Sequence, residues 1–237
     1  MAAVSLGVFA LAATAQAITG FGFALVAVPL LALVVDPAIA VVGTTVVGLA
    51  LTGFAATAER HHVEWRTGVR ITVTGLVGMP LGLLVLSRLG ERPLQAVIAG
   101  VVSLLVVLLA LRVPFPAGPA TQATAGLLSG ALLTSTGMNG PPLVMAVQAL
   151  GLSPRRSRGT LQAIFCGQGL VAVAAFAVSG LLDPLVGVVV AAGAAGVPLG
   201  WRVGDRLFGL VAPDVYRRLV LAMLTATALV ALWTVLT

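Results

Sequence analysis

Lysine is absent from this chain, and its 13 basic residues, all arginine, face only seven carboxylates. Charged residues make up 8% of the 237 positions and hydrophobic ones 59%. That is too little charge to clothe a soluble domain, so the composition is that of a polytopic membrane protein. Cysteine occurs once, as Cys166, which excludes an internal disulfide and a thiolate metal cluster. Asp36, Glu59, Glu64, Glu91, Asp183, Asp205 and Asp214 all fall at span ends or in loops, so nothing supports a carboxylate proton relay through the bilayer. No nucleophile is set beside a base and the loops are short, which argues against an enzyme. His61 and His62 lie next to each other with Glu59 and Glu64 nearby, without the helical or finger spacing of a metal site; no metal and no cofactor is expected. The net charge of +6 sits between apolar spans, where it sets topology rather than binding nucleic acid.

Long apolar runs and glycine are abundant. The run from Ala2 to Val35 would make a helix of about 51 Å at ~1.5 Å per residue, against a hydrocarbon core of ~30 Å. It has to break or tilt, and Thr19-Gly20-Phe21-Gly22-Phe23 is where it can break, because glycine accepts backbone angles that stop a helix. The theme returns as Thr136-Gly137-Met138-Asn139-Gly140, inside a second apolar run from Ala120 to Leu150. Ala15-Gln16-Ala17 looks like a signal cleavage site, but no basic residue precedes the run, so it is expected to belong to the mature fold.

Three spans are expected after each broken segment: Ala38 to Ala58, Thr67 to Ser87 and Leu94 to Leu111, then Gly159 to Gly180, Pro184 to about Trp201 and Leu219 to Leu236. The arginines at 155, 156, 158, 202 and 206 are expected in the loops between them. Residues 112–119, rich in proline and glycine, read as a linker between repeats at 1–111 and 120–237. The spans that begin at Thr67 and Pro184 carry the clearest repeat: Gly75, Gly78, Pro80, Leu81, Gly82, Val85, Arg88 and Leu89 recur as Gly193, Gly196, Pro198, Leu199, Gly200, Val203, Arg206 and Leu207. A shared Gly-x-x-Gly-x-Pro-Leu-Gly frame points to duplication, and glycine at such spacing serves close helix packing.

Arginine placement then tests orientation. If each broken segment enters and returns as a hairpin, every arginine except Arg88 and Arg92 falls on one face, the pattern of cytoplasmic loops. If each crosses once, the division is less extreme. The expected fold is therefore all-α and integral to the membrane: two inverted repeats, each a re-entrant helical hairpin followed by three transmembrane helices.

Where a returning helix starts, free N–H groups and the positive end of the helix dipole face the gap between hairpins, which suits an anion. Pro141-Pro142 marks such a start. The candidate binding residues are Thr19, Gly20, Phe21, Gly22 and Phe23 in the first break, Ser135, Thr136, Gly137, Met138, Asn139 and Gly140 in the second, and the matched pair Thr44 and Thr160. No arginine lies near mid-span, so weak, exchangeable binding is expected. Gln162 and Gln168 are read as interhelical hydrogen-bonding amides.

The stretches TGFGFALVAVPLL, VEWR, the two GxxGxPLG frames and TGMNGPPLV resemble the sulfite exporter TauE/SafE family over nearly the whole chain. The resemblance implies a bacterial cytoplasmic membrane permease for sulfite, sulfonates or related small anions. One departure is Gly20-Phe21-Gly22-Phe23 where many relatives carry a glycine run, which points to a narrower site or a partly apolar organic anion. The expected partners are a small anion and the lipid bilayer, with a homodimer left open. An anion channel, a non-transporting scaffold and, further off, a membrane-embedded enzyme are the alternatives.

Overall fold

The first helix, α1 (Ala2–Thr19), stops at Gly20, whose φ of 77° and backbone N–H to Gln16 carbonyl bond make a left-handed C-cap. Two residues on, Gly22 has φ 96° and begins α2 (Phe23–Leu31). A side chain at either φ would be strained, so glycine is what permits the break. A straight helix would set Phe9 and Phe23 about 21 Å apart. Their rings instead stack with centroids 5.7 Å apart, so the chain doubles back. These coordinates are a computed structural model describing residues 1–111 and 116–208 with Ala222, Thr225, Ala226 and Leu229. Apart from those four residues, the expected span at Leu219 to Leu236 lies outside the described residues, as do linker positions 112–115.

The break recurs between α6 (Pro119–Thr136) and α7 (Gly140–Gln148). Gly137, at φ 74°, caps α6 in the left-handed region. Pro141 and Pro142 then occupy the first turn of α7, where a missing N–H is harmless. The other helices are α3 (Pro37–Ala58), α4 (Trp65–Arg88), α5 (Glu91–Leu111), α8 (Pro154–Val178) and α9 (Pro184–Phe208), and a short 3-10 turn, Arg60–His62, joins α3 to α4. Every regular element among the described residues is helical. Asp36 caps α3, its carboxylate accepting from the Ala38 and Ile39 N–H groups. Asp183 accepts in the same way from Leu185 N–H at the start of α9.

Among the described residues, α3, α4, α8 and residues 184–207 of α9 are long and apolar enough to cross a membrane. Their outward faces carry Phe54, Val77, Leu170 and Leu199 exposed, a surface suited to lipid. α8 and α9 are longer than composition indicates. Arg155, Arg156 and Arg158 lie in the first turns of α8, and Arg202, Asp205 and Arg206 in the last turns of α9, not in loops. Arginine is a good helix former and no breaker intervenes, so these helices run on past the apolar stretch with their charges at the ends.

The two repeated glycine frames bring helix backbones into close contact. A Cβ on Gly78 would overlap the Leu127 carbonyl, one on Gly82 the Ala131 carbonyl, and one on Gly130 the backbone of Gly75. So α4 and α6 lie backbone to backbone, their numbering rising together. On the other side, a Cβ on Gly196 would meet the Leu6 carbonyl, one on Gly200 the Ala10 carbonyl and one on Gly204 the Thr14 backbone, which makes α9 and α1 parallel as well. Each frame thus packs on the broken helix of the opposite half of the sequence. Threonines span both seams: Thr134 Oγ1 donates to the Met79 carbonyl (2.7 Å) and Thr14 Oγ1 to the Gly200 carbonyl (3.0 Å). α3 and α8 are antiparallel, with Leu49 against Gly169 and Glu59 against Gly159.

Replacing Gly130 with valine should separate α4 from α6 and cost about 1–3 kcal/mol or more, read as a lower Tm in detergent. Gly187→Val on α9, where nothing lies within 4 Å of an added Cβ, should leave Tm nearly unchanged.

Candidate functional site

The two breaks meet. A Cβ on Gly140 would lie 3.4 Å from Phe21 Cδ2, and one on Gly137 would lie 3.2 Å from Val28 Cγ2, so the second break packs on α2 and on the turn before it. Between them is a cavity of about 60 Å³. A water-sized group takes roughly 10–15 Å³ on the same measure, so the space suits a molecule of a few heavy atoms.

Gly22, Phe23, Ala24 and Leu25 form one wall. These four residues carry the N–H groups that the start of α2 leaves without an internal acceptor, since the first helical bond runs from Val26 N–H to the Gly22 carbonyl. No side chain caps that end. Gly137, Met138, Asn139 and Gly140 form the facing wall at the start of α7. α3 supplies the third side through Thr44, Thr45, Gly48 and Thr52, positions spaced to share one helix face. Thr45 and Thr52 spend their hydroxyl hydrogens on the Val41 and Gly48 carbonyls, each at 2.8 Å. Thr44 is 1% exposed and its Oγ1 has no hydrogen-bond partner.

One helix holds both breaks. Gln162 of α8 donates through Nε2 to the Gly20 carbonyl (3.1 Å), and its Oε1 accepts from Gln16 Nε2 (3.3 Å). Two turns along, Gln168 accepts from Asn139 Nδ2 through Oε1 (3.1 Å), and its Nε2 donates to Ser129 Oγ (2.8 Å). Both glutamines are fully buried, as the interhelical reading of these amides expects.

Of the sequence candidates, Gly22, Phe23, Thr44, Gly137, Met138, Asn139 and Gly140 therefore line one cavity. Gly20 faces the other way, toward Arg158 Cγ at 3.7 Å from an added Cβ, and Phe21 packs on Gly140. Ser135 and Thr136 bond back to the Ala131 and Leu132 carbonyls. Thr160 Oγ1 accepts from Glu64 N–H (2.9 Å), which fastens the α3–α4 loop to α8 away from the cavity wall. Thr19 ends α1, and its side chain lies outside the described residues. Gln16, Thr45 and Thr52 also line the cavity and were not among the candidates; Arg158 lies beside the first break, outside the wall. A lone amide shortly before a break, and threonines spaced along one face of α3, were the available signals. Arg158 gave none: its side chain, 15% exposed, reaches Asp205 at 4.0 Å and sits 5.4 Å from the Trp201 ring centre, on another helix. Among the described residues no group of His, Cys, Asp and Glu is placed to hold a metal.

A family model described as Sulfite exporter TauE/SafE matches residues 5–231 of the chain. No curated protein and no solved structure matches it.

The isosteric change Thr44→Val removes a buried hydroxyl that has nothing to lose, so Tm should hold or rise. The same change should weaken small-anion binding by about 2- to 12-fold, the worth of one hydrogen bond, measured by titration calorimetry on the purified protein.

Proposed function

The chain belongs to the sulfite exporter TauE/SafE family, and on that premise we propose that it carries sulfite, a sulfonate or a related small sulfur-containing anion across the bacterial cytoplasmic membrane by alternating access at the cavity between α2 and α7. The observation that carries this reading is the pairing of two buried helix starts around a space that also receives the unpartnered Thr44 hydroxyl. Helix starts present N–H donors and positive potential, so an acceptor-rich anion is the complementary ligand. Interrupted helices at the centre of the fold are the usual site of transporter binding.

The packing directions support an inverted arrangement of the two repeats. α1 runs parallel to α9, α6 runs parallel to α4, and α3 is antiparallel to α8. The short connections from α3 to α4 and from α8 to α9 reverse the chain. α1 and α6 therefore enter in opposite senses, as re-entrant hairpins from the two faces would. An inside-negative potential contributes ~2.3 kcal/mol per charge per 100 mV to anion exit, so export runs without a coupling ion.

Flux tests the reading. Labelled sulfite or a sulfonate should cross liposomes containing the protein, and Asn139→Leu should abolish that flux while the protein stays inserted; unchanged flux would remove Asn139 from the site. Topology is a separate test. In a Cys166→Ser background, Gly90→Cys and Ser153→Cys should react with an impermeant maleimide from opposite faces. Labelling from the same face would mean that each broken segment crosses once.

A further inference from the structure

We infer that the cavity selects singly charged anions and rejects doubly charged ones of the same shape. This rests on the transport reading above and adds a charge rule to it. The wall contains no ionisable side chain; its polar side chains are Gln16, Thr44, Thr45, Thr52 and Asn139. Gln16 and Asn139 each commit an amide hydrogen to a glutamine of α8, and Thr45 and Thr52 commit theirs to α3. Arg158 lies behind Gly20 rather than in the wall, with Asp205 and Trp201 beside it. Positive potential in the cavity thus comes from the starts of α2 and α7, and from donors such as the Thr44 hydroxyl.

Each helix start is equivalent to roughly half an elementary charge. Two of them amount to at most about one, because Pro141 and Pro142 take N–H donors out of the first turn of α7 and the ends of α1 and α6 at the same breaks oppose the field. At most one negative charge is thus balanced, and a second is left uncompensated. The penalty for leaving water grows with the square of the ionic charge, while the favourable interaction with fixed dipoles grows only linearly, so a second charge loses more than it gains. The small volume sharpens this, because it has no room for a hydration shell to travel with the ion. For an acid that loses two protons in turn, the form carried is the one that keeps the last proton.

Methanesulfonate and sulfate make the test, since they share a tetrahedral shape and differ by a methyl group in place of one charged oxygen. Uptake of each is measured in liposomes containing the full chain at clamped potential, alongside sulfite at acid and alkaline pH and thermal stabilisation of the protein by all three. Methanesulfonate should move about tenfold faster than sulfate or better, and sulfite flux should fall as hydrogen sulfite gives way to the dianion. Sulfate moving as fast as methanesulfonate, or sulfite flux rising with pH, would overturn the charge rule and leave transport standing. If none of the three moves or stabilises the protein, the transport reading falls and the charge rule with it.

Discussion

A peptide group stripped of water must find a partner inside the protein, and most of this architecture answers that requirement at two points. Gly20 to Gly22 and Gly137 to Asn139 interrupt helices within an apolar fold, where an unsatisfied backbone group costs on the order of several kcal/mol. α8 meets part of the demand with neutral amides, Gln162 at the Gly20 carbonyl and Gln168 at Asn139. At the first break the demand left over includes the N–H groups of Gly22 to Leu25, residues that line the cavity. On the proposed function, the same N–H groups that are a liability to the fold serve to hold the ligand.

Close backbone packing keeps the breaks in place. α1 and α6 are the arms that lead to them, and each is held along its length by a glycine frame from the other half of the sequence. Glycines bring the backbones together where lipid supplies no hydrophobic drive for association, and threonine hydroxyls cross the same seams. The frame that repeats so clearly is thus a packing device, while the cavity wall is assembled from the less conspicuous Gly22, Thr44 and Asn139.

Much of this was legible in the sequence. The breaks at Gly20 and Gly137 follow from a run too long for the bilayer with glycine in its middle, and the glycine frames announced close packing. The helix ends were less legible, because charge does not mark a boundary: Arg158 and Arg206 lie inside helices, and nothing in a one-dimensional pattern says how far a helix stands out of the lipid. Partners far apart in the chain were also hidden. That Gln16 would meet Gln162 and Asn139 would meet Gln168 depends on α8 passing both breaks. Hydroxyl roles were the least readable, since Thr44, Thr45 and Thr160 have the same chemistry, and only their surroundings separate an unpartnered hydroxyl from one that donates and one that accepts.

Gln162 and Gln168 stand six residues apart on one unbroken helix, about 9 Å at ~1.5 Å per residue. A rod of that kind cannot slide or roll beneath one anchor without moving beneath the other. Any displacement of α8 along its own axis would therefore reach the hydrogen bonds at Gly20 and at Asn139 together.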